Sequence, residues 1–264
     1  MALTPERSGH VGSGRVLGLA GIISLFVAWQ LAMLLGIISP ARLPSPSDVL
    51  LTMGRLLTSP LFLADVADTL TAWAVTMGLG SLIAIPTGVL VGYIAALYRP
   101  ASAVIHAARS VTAAALLPVA ILLFGLGTPM KVTLAVWAIT WPLLLNSMYG
   151  THAVDGRWIT TGRSLHWGRW KILARIILPA AAPSIATGLR LAASIALIVI
   201  LTAEILGARS GVGTVIDKAQ IDEQPAIVYA GIIVIGLLGM VITFAMSAFE
   251  RRLMPWPHAN RLTR

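Results

Sequence analysis

Between Val154 and Ala192 the chain reads VDGRWITTGRSLHWGRWKILARIILPAAAPSIATGLRLA, a basic, tryptophan-bearing segment set between long apolar runs. Arg157, Arg163, Arg169, Lys171 and Arg175 fall at spacings that cannot all share one helical face. Leu178 and Pro179 follow, and a proline there is expected to end or kink a helix. The segment therefore reads as a docking element at a membrane surface.

Composition fixes the solvent around that segment. Hydrophobic residues make up 57% of the chain and charged residues 11%, and the mean hydropathy is +0.87. A soluble surface does not tolerate such values, so the fold class is all-α, a polytopic membrane protein. A helix needs roughly 20 apolar residues to cross about 30 Å of hydrocarbon, which divides the chain into about six spans. They are placed at 16–38, 67–97, 101–125, 132–150, 184–207 and 226–248. The second is long enough to tilt or to extend past the bilayer. His106 and Arg109 in the first turns of the third, with Pro118 inside it, point to a broken or partly interfacial helix. A barrel is disfavoured because the apolar runs are continuous and do not alternate.

The expected organisation is a tail at 1–15, a membrane domain at 16–252 with a polar loop at about 154–179, and a second tail at 253–264. The first apolar run exceeds the core of a cleaved signal peptide and is expected to be retained. With both termini in the cytoplasm, Arg7, Arg15, Arg99, Arg109, the loop cations, Arg251, Arg252, Arg261 and Arg264 face inside. Arg42, Arg55, Lys131, Arg209 and Lys218 then face outside, a bias of the sign that topology signals carry. The net charge of +9 is read mainly as that signal. Nucleic acid is not an expected partner, because the cations are scattered among spans and form no continuous basic face.

Enzyme motifs are missing. The sequence holds no GxxxxGK[ST] phosphate loop, no HExxH and no GxSxG. There is no cysteine, which excludes disulfides and thiolate chemistry. His10, His106, His152, His166 and His258 have no metal-ligand spacing, and neither a cofactor nor a metal is expected. An ATP-independent secondary transporter or channel is the alternative, although such proteins more often bury ionisable residues deep in their spans. A membrane-embedded enzyme would need a polar catalytic cluster that the sequence does not display.

The quoted loop resembles the cytoplasmic loop of ABC importer permeases of the binding-protein-dependent class, whose pattern is EAA, three residues, Gly, nine residues and I-x-L-P. Here TTGRSLH is followed by WGRWKILAR and IILP, with Ile176, Leu178 and Pro179 in place. Thr160, Thr161 and Gly162 stand where the family has Glu-Ala-Ala, and His166 where it has Gly. A threonine hydroxyl can replace the lost acid as a helix cap, while Gly162 costs roughly 1 kcal/mol against Ala inside a helix. LPSPSDVL at 43–50, LLPVAILLFGLGTPMKV at 116–132, TAEILGARSGVGTVI at 202–216 and the terminal ERRLMPW resemble the nitrate, sulfonate and taurine group of these permeases.

The resemblance implies a bacterial inner-membrane import channel. It would contain two such permeases, two cytoplasmic ABC ATPase subunits and an extracytoplasmic solute-binding protein, with ATP hydrolysis on the separate subunits. The cargo would be a small anion such as a sulfonate, taurine or nitrate, or a vitamin precursor. The loop would be the coupling helix, running from about Trp158 to Trp170, with Thr160, Thr161, Gly162, Arg163, Ser164, Leu165, His166, Trp167, Arg169 and Trp170 against the ATPase. Leu165, Trp167 and Trp170 would be its apolar anchors.

Glu204, near the outer end of the fifth span, is a candidate gate residue or helix-end contact, since a charge in a span usually faces a cavity or a partner. Arg190 at the inner end of that span is expected to snorkel. Gly88 and Gly92 form a GxxxG that permits close helix packing. Trp29, Trp73, Trp137 and Trp141 read as interface anchors or core filling.

Overall fold

The computed structural model describes residues 43–253, together with Gly21, Ser24 and residues 26–31. Most of the expected first span and both tails lie outside the described residues. The described elements are helical: α1 Pro46–Thr58, α2 Pro60–Tyr93, α3 Ala95–Ala108, a 3₁₀ turn Ala113–Leu116, α4 Leu117–Phe124 and α5 Thr128–His152. There follow α6 Gly156–Ser164, α7 Arg169–Ile172, a π turn Leu173–Ile177, α8 Leu178–Gly207, α9 Val212–Ile221 and α10 Pro225–Leu253.

Helix starts follow local chemistry. Ser45 accepts a hydrogen bond from the Asp48 amide at 3.2 Å, and Pro46 sits in the first turn of α1, where its missing N–H is no loss. Four of the described helices are long and apolar enough to cross a membrane, and α3 with α4 forms a fifth candidate bent by 69°. The broken third span is therefore present as expected. The second begins seven residues earlier than its apolar run, at Pro60 rather than 67, and its 34 residues extend over about 51 Å, well beyond the hydrocarbon thickness.

The loop departs from expectation at Pro179. Instead of ending a helix, Pro179 lies in the first turn of α8. The preceding π turn shifts the hydrogen-bond register, with the Leu178 amide donating to the Leu173 carbonyl. The missing proline N–H is thereby absorbed at an element start rather than in a helix interior.

α5 is the central helix, packed along α2 on one side and α8 on the other. The α2 seam is made by small residues: a Cβ on Gly88 would come within 2.6 Å of the Leu144 carbonyl oxygen and 2.7 Å of the Ser147 Cβ. Gly92 meets Met148 and Thr151 in the same way. The GxxxG thus seats α2 on α5 within one chain. Ile139, Leu143, Met148, Ala192, Ala196 and Val212 form part of the buried core, and α10 closes it by packing on α1, α8 and α9. Trp73 fills this core and donates its indole N–H to the Ala193 carbonyl at 2.9 Å.

Candidate functional site

Two constellations sit at opposite ends of the bundle. At the end where α5 and α8 meet α6 and α7, the polar loop builds a compact knuckle. Asp155 caps α6 by accepting from the Arg157 amide at 2.9 Å. Thr160 and Thr161 instead donate back to the Gly156 and Arg157 carbonyls, each at 3.0 Å. The cap therefore comes from Asp155 and not from the threonines that replace the family's acid.

The single helix expected from Trp158 to Trp170 is two helices. α6 stops at Ser164, with the Trp167 amide donating to the Gly162 carbonyl at 3.0 Å and the His166 amide to the Arg163 carbonyl at 2.9 Å. This is the hydrogen-bond pair of a Schellman ending, whose penultimate residue must be left-handed. His166 is that residue, with φ of 53°. The family's glycine at this position is thereby explained, and histidine takes the same conformation at some steric cost. Gly162 has a physical reason too: a Cβ there would lie 3.0 Å from Ile176 and 3.1 Å from Ile172, so its absence lets α6 press onto α7 and the π turn.

That packing turns the remaining apolar side chains outward. Trp158 is 63% exposed, Leu165 59% and Trp170 83%. Thr160, Arg163, Ser164 and Arg169 are exposed around them. Trp167 is half-buried and engaged within the loop, with the Lys171 ammonium 4.7 Å and the Arg175 guanidinium 5.9 Å from its ring centre, close enough for cation–π attraction. Of the three expected anchors, Leu165 and Trp170 are free to meet a partner. Trp158 is exposed beside them, whereas Trp167 is half-buried. Arg190, expected to snorkel, forms an ion pair with Glu250 of α10.

The other constellation surrounds Glu204, which is buried near the end of α8. Its carboxylate accepts from the Lys131 ammonium at 2.9 Å, the Thr69 hydroxyl at 2.9 Å and the Gly213 amide at 3.0 Å. Lys131 is itself fully buried, and its ammonium also donates to Asp68 at 2.8 Å and to the Ser210 carbonyl at 3.1 Å. The Ser210 hydroxyl donates to Asp68 at 2.6 Å. The first amides of α9 have no intrahelical acceptors. Side chains of α2 and α8 supply them: the Gly211 amide donates to Asp65 at 2.9 Å, the Val212 amide to Thr69 at 3.0 Å, and the Gly213 amide to Glu204.

Gly211 has φ of 115°, and a side chain there would run into the Glu204 carboxylate. The arrangement ties α2, α5, α8 and the turn into α9 together through one buried cation. Glu204 thus makes a helix-end contact. Sequence reading missed Lys131 and Asp68. Lys131 stands one residue before an expected span, Asp68 and Thr69 open the span placed at 67–97, and Asp65 joins them on one helical face because α2 begins at Pro60. That i, i+3, i+4 spacing of polar residues was the available signal.

Comparison with known proteins agrees with the fold. The family model for the binding-protein-dependent transport system inner membrane component matches residues 80–255. The taurine transport system permease protein TauC of Escherichia coli (strain K12) is 30% identical, over 91% of this chain and 89% of its own. A permease protein assigned to aliphatic sulfonates transport in Bacillus subtilis (strain 168) is 29% identical, over 95% of this chain and 91% of its own. Among solved structures, a chain of the MetNI methionine ABC transporter in an inward-facing conformation superposes with a TM-score of 0.65 at 19% identity, covering 74% of this chain and 96% of that one.

Proposed function

The chain belongs to the family of binding-protein-dependent transport system inner membrane components and is a permease subunit of an ABC importer, and on that premise we propose that it carries a small organic or inorganic anion across the membrane. Two copies form the path, a solute-binding protein delivers the cargo from outside, and two ABC ATPase subunits drive the cycle from the cytoplasm. The observation that carries this reading is the α6–α7 knuckle. It is capped at both ends of α6 and shows Trp158, Leu165 and Trp170 to solvent on a basic background.

Exposed aromatic and aliphatic side chains beside arginine are the composition of an interface centre. The coupling residues are thus Trp158, Leu165 and Trp170, with Arg163 and Arg169 steering acidic groups of the ATPase. Thr160, Thr161, Gly162, Ser164, His166 and Trp167 hold the knuckle's shape. Glu204 serves as a clamp residue at the opposite, outer end. Both termini face the cytoplasm, with residues 16–252 as the membrane domain. The basic-residue bias supports this orientation, and so does the separation of the loop from Lys131, Arg209 and Lys218 along the bundle.

The cysteine-free sequence makes the orientation and the partner directly testable. Single cysteines at Ser45 and Asp222 are expected to react with an impermeant thiol reagent added to intact cells. One at Ser164 reacts only after permeabilisation. Solubilised from native membranes, the permease brings down an ABC ATPase, and the purified chain alone hydrolyses no ATP. Labelling of Ser164→Cys from outside, or purification without any nucleotide-binding subunit, contradicts the reading.

A further inference from the structure

α3 is thinly packed for a helix set in a bundle. Ile105 is its one buried residue, and Pro100, inside the helix, leaves the Ala96 carbonyl without its usual donor. The residue that joins it to α2, Ile94, is extended, so the two helices meet at a joint rather than along one continuous rod. What fixes the orientation of α3 comes from α5. The Tyr98 ring stacks on the His152 ring, with 3.8 Å between centres and 14° between planes. Farther along, His106 Nε2 and the Tyr149 hydroxyl share a hydrogen bond of 3.1 Å. A ring stack and a hydrogen bond are directional, and they hold an orientation where an aliphatic contact of the same size would slide.

Both grips sit at one end of α5. Tyr149 and His152 are a turn apart and share a helical face. His152 is the last residue of the helix, with Ala153 as its cap, and Asp155 then caps the start of α6. Ala153 and Val154 alone separate the residue that holds α3 from the cap of the knuckle. At its other end the knuckle runs through α7 and the π turn into α8 without a break. A push on the knuckle thus reaches α8 along continuous helix, and reaches α3 through side chains at the end of α5.

We propose that Tyr98, His106, Tyr149 and His152 are positioning residues that carry movement of the knuckle to α3, so that the bent span follows the ATPase cycle. The inference rests on the importer reading and on the knuckle as the seat of the ATPase. Coupling between distant sites needs an element whose arrangement both of them bias. α3 meets that condition, being lightly buried, jointed at Ile94 and gripped at two points beside the knuckle.

The test follows distances between paired nitroxides in the complex of permease and copurified ATPase. The chain has no cysteine, so one introduced residue per copy reports one separation. Ala103→Cys reads α3 and Thr187→Cys reads α8, both at exposed positions. Between the nucleotide-free and the ATP-bound complex, both separations are expected to shift in the parent protein. In Tyr98→Leu, and separately in His152→Leu, the α8 shift should remain and the α3 shift should be lost while ATP is still hydrolysed. His152→Phe keeps a flat ring for the stack and should restore the α3 shift. Tyr149→Phe removes only a hydroxyl from an exposed side chain, which spares folding, and should shrink the α3 shift while leaving that of α8. An α3 that follows α8 without the stack, or that does not shift in the parent, overturns the inference. Equal loss of both shifts in these variants overturns it too, since it marks contacts that support structure alone. A parent chain that purifies with no ATPase removes the importer reading itself, and this inference with it.

Discussion

Lys131→Met is expected to cost about 3–5 kcal/mol of stability, because removing one partner of a buried ion pair leaves the other charge uncompensated. Glu204 and Lys131 are both shielded completely from solvent. Without the ammonium, the Glu204 carboxylate keeps only Thr69 and the Gly213 amide, and Asp68 keeps Ser210. Asp68 contributes less, since its side chain is partly exposed and water can replace part of the lost contact. Unfolding followed by tryptophan fluorescence in detergent reads the change directly, with eight tryptophans in the chain as reporters.

The double variant Lys131→Met with Glu204→Gln should recover part of the loss. The amide is neutral and still accepts from Thr69 and Gly213. If Lys131→Met shifts stability by no more than about 0.5 kcal/mol, as an ordinary surface substitution does, the clamp is not a stabilising element.

Leu165→Asp is the second large effect, and its target is assembly rather than folding. The side chain is exposed at the end of α6, so the isolated permease should insert and fold normally. An acid at a helix C-terminus costs 0.3–1 kcal/mol or so through the dipole. Burying an unpaired carboxylate in an apolar cleft costs several kcal/mol. The second effect wins, and the variant should reach the membrane in normal amount but lose its ATPase during purification and lose import. Leu165→Ser separates charge from packing, and a milder defect is expected there. Normal assembly and import by Leu165→Asp would mean that the loop faces lipid headgroups and that coupling lies elsewhere.

The loop was legible because its motif joins spacing to composition: Ile176, Leu178 and Pro179 stand in register with a basic, tryptophan-rich start. Its break at Leu165 was not legible from periodicity. His166 departs from the family's glycine, and the departure hides the left-handed residue that glycine would have announced. Exposure of Trp158 in place of Trp167 was equally hidden. It depends on α6 folding back on Ile172 and Ile176, a contact between elements rather than a property of either.

At the other end, Glu204 was visible as a charge within an apolar run. Its partners were not picked out: Lys131 sits at a span boundary and reads as an interfacial cation, and Asp68, although the second residue of the span placed at 67–97, meets Lys131 only through packing of two helices. The bend between α3 and α4 was anticipated from His106, Arg109 and Pro118.

The central claim is that this chain moves its cargo only when coupled to ATP hydrolysis by another subunit. Proteoliposomes holding the permease, its copurified ATPase and the binding protein, charged with the solute that the binding protein carries when purified, measure that dependence. Accumulation of solute is expected only with ATP and an active ATPase, and inactivation of the ATPase's phosphate-loop lysine should abolish it. Accumulation driven by an ion gradient, in liposomes that hold this chain alone, would contradict the account and establish a secondary transporter.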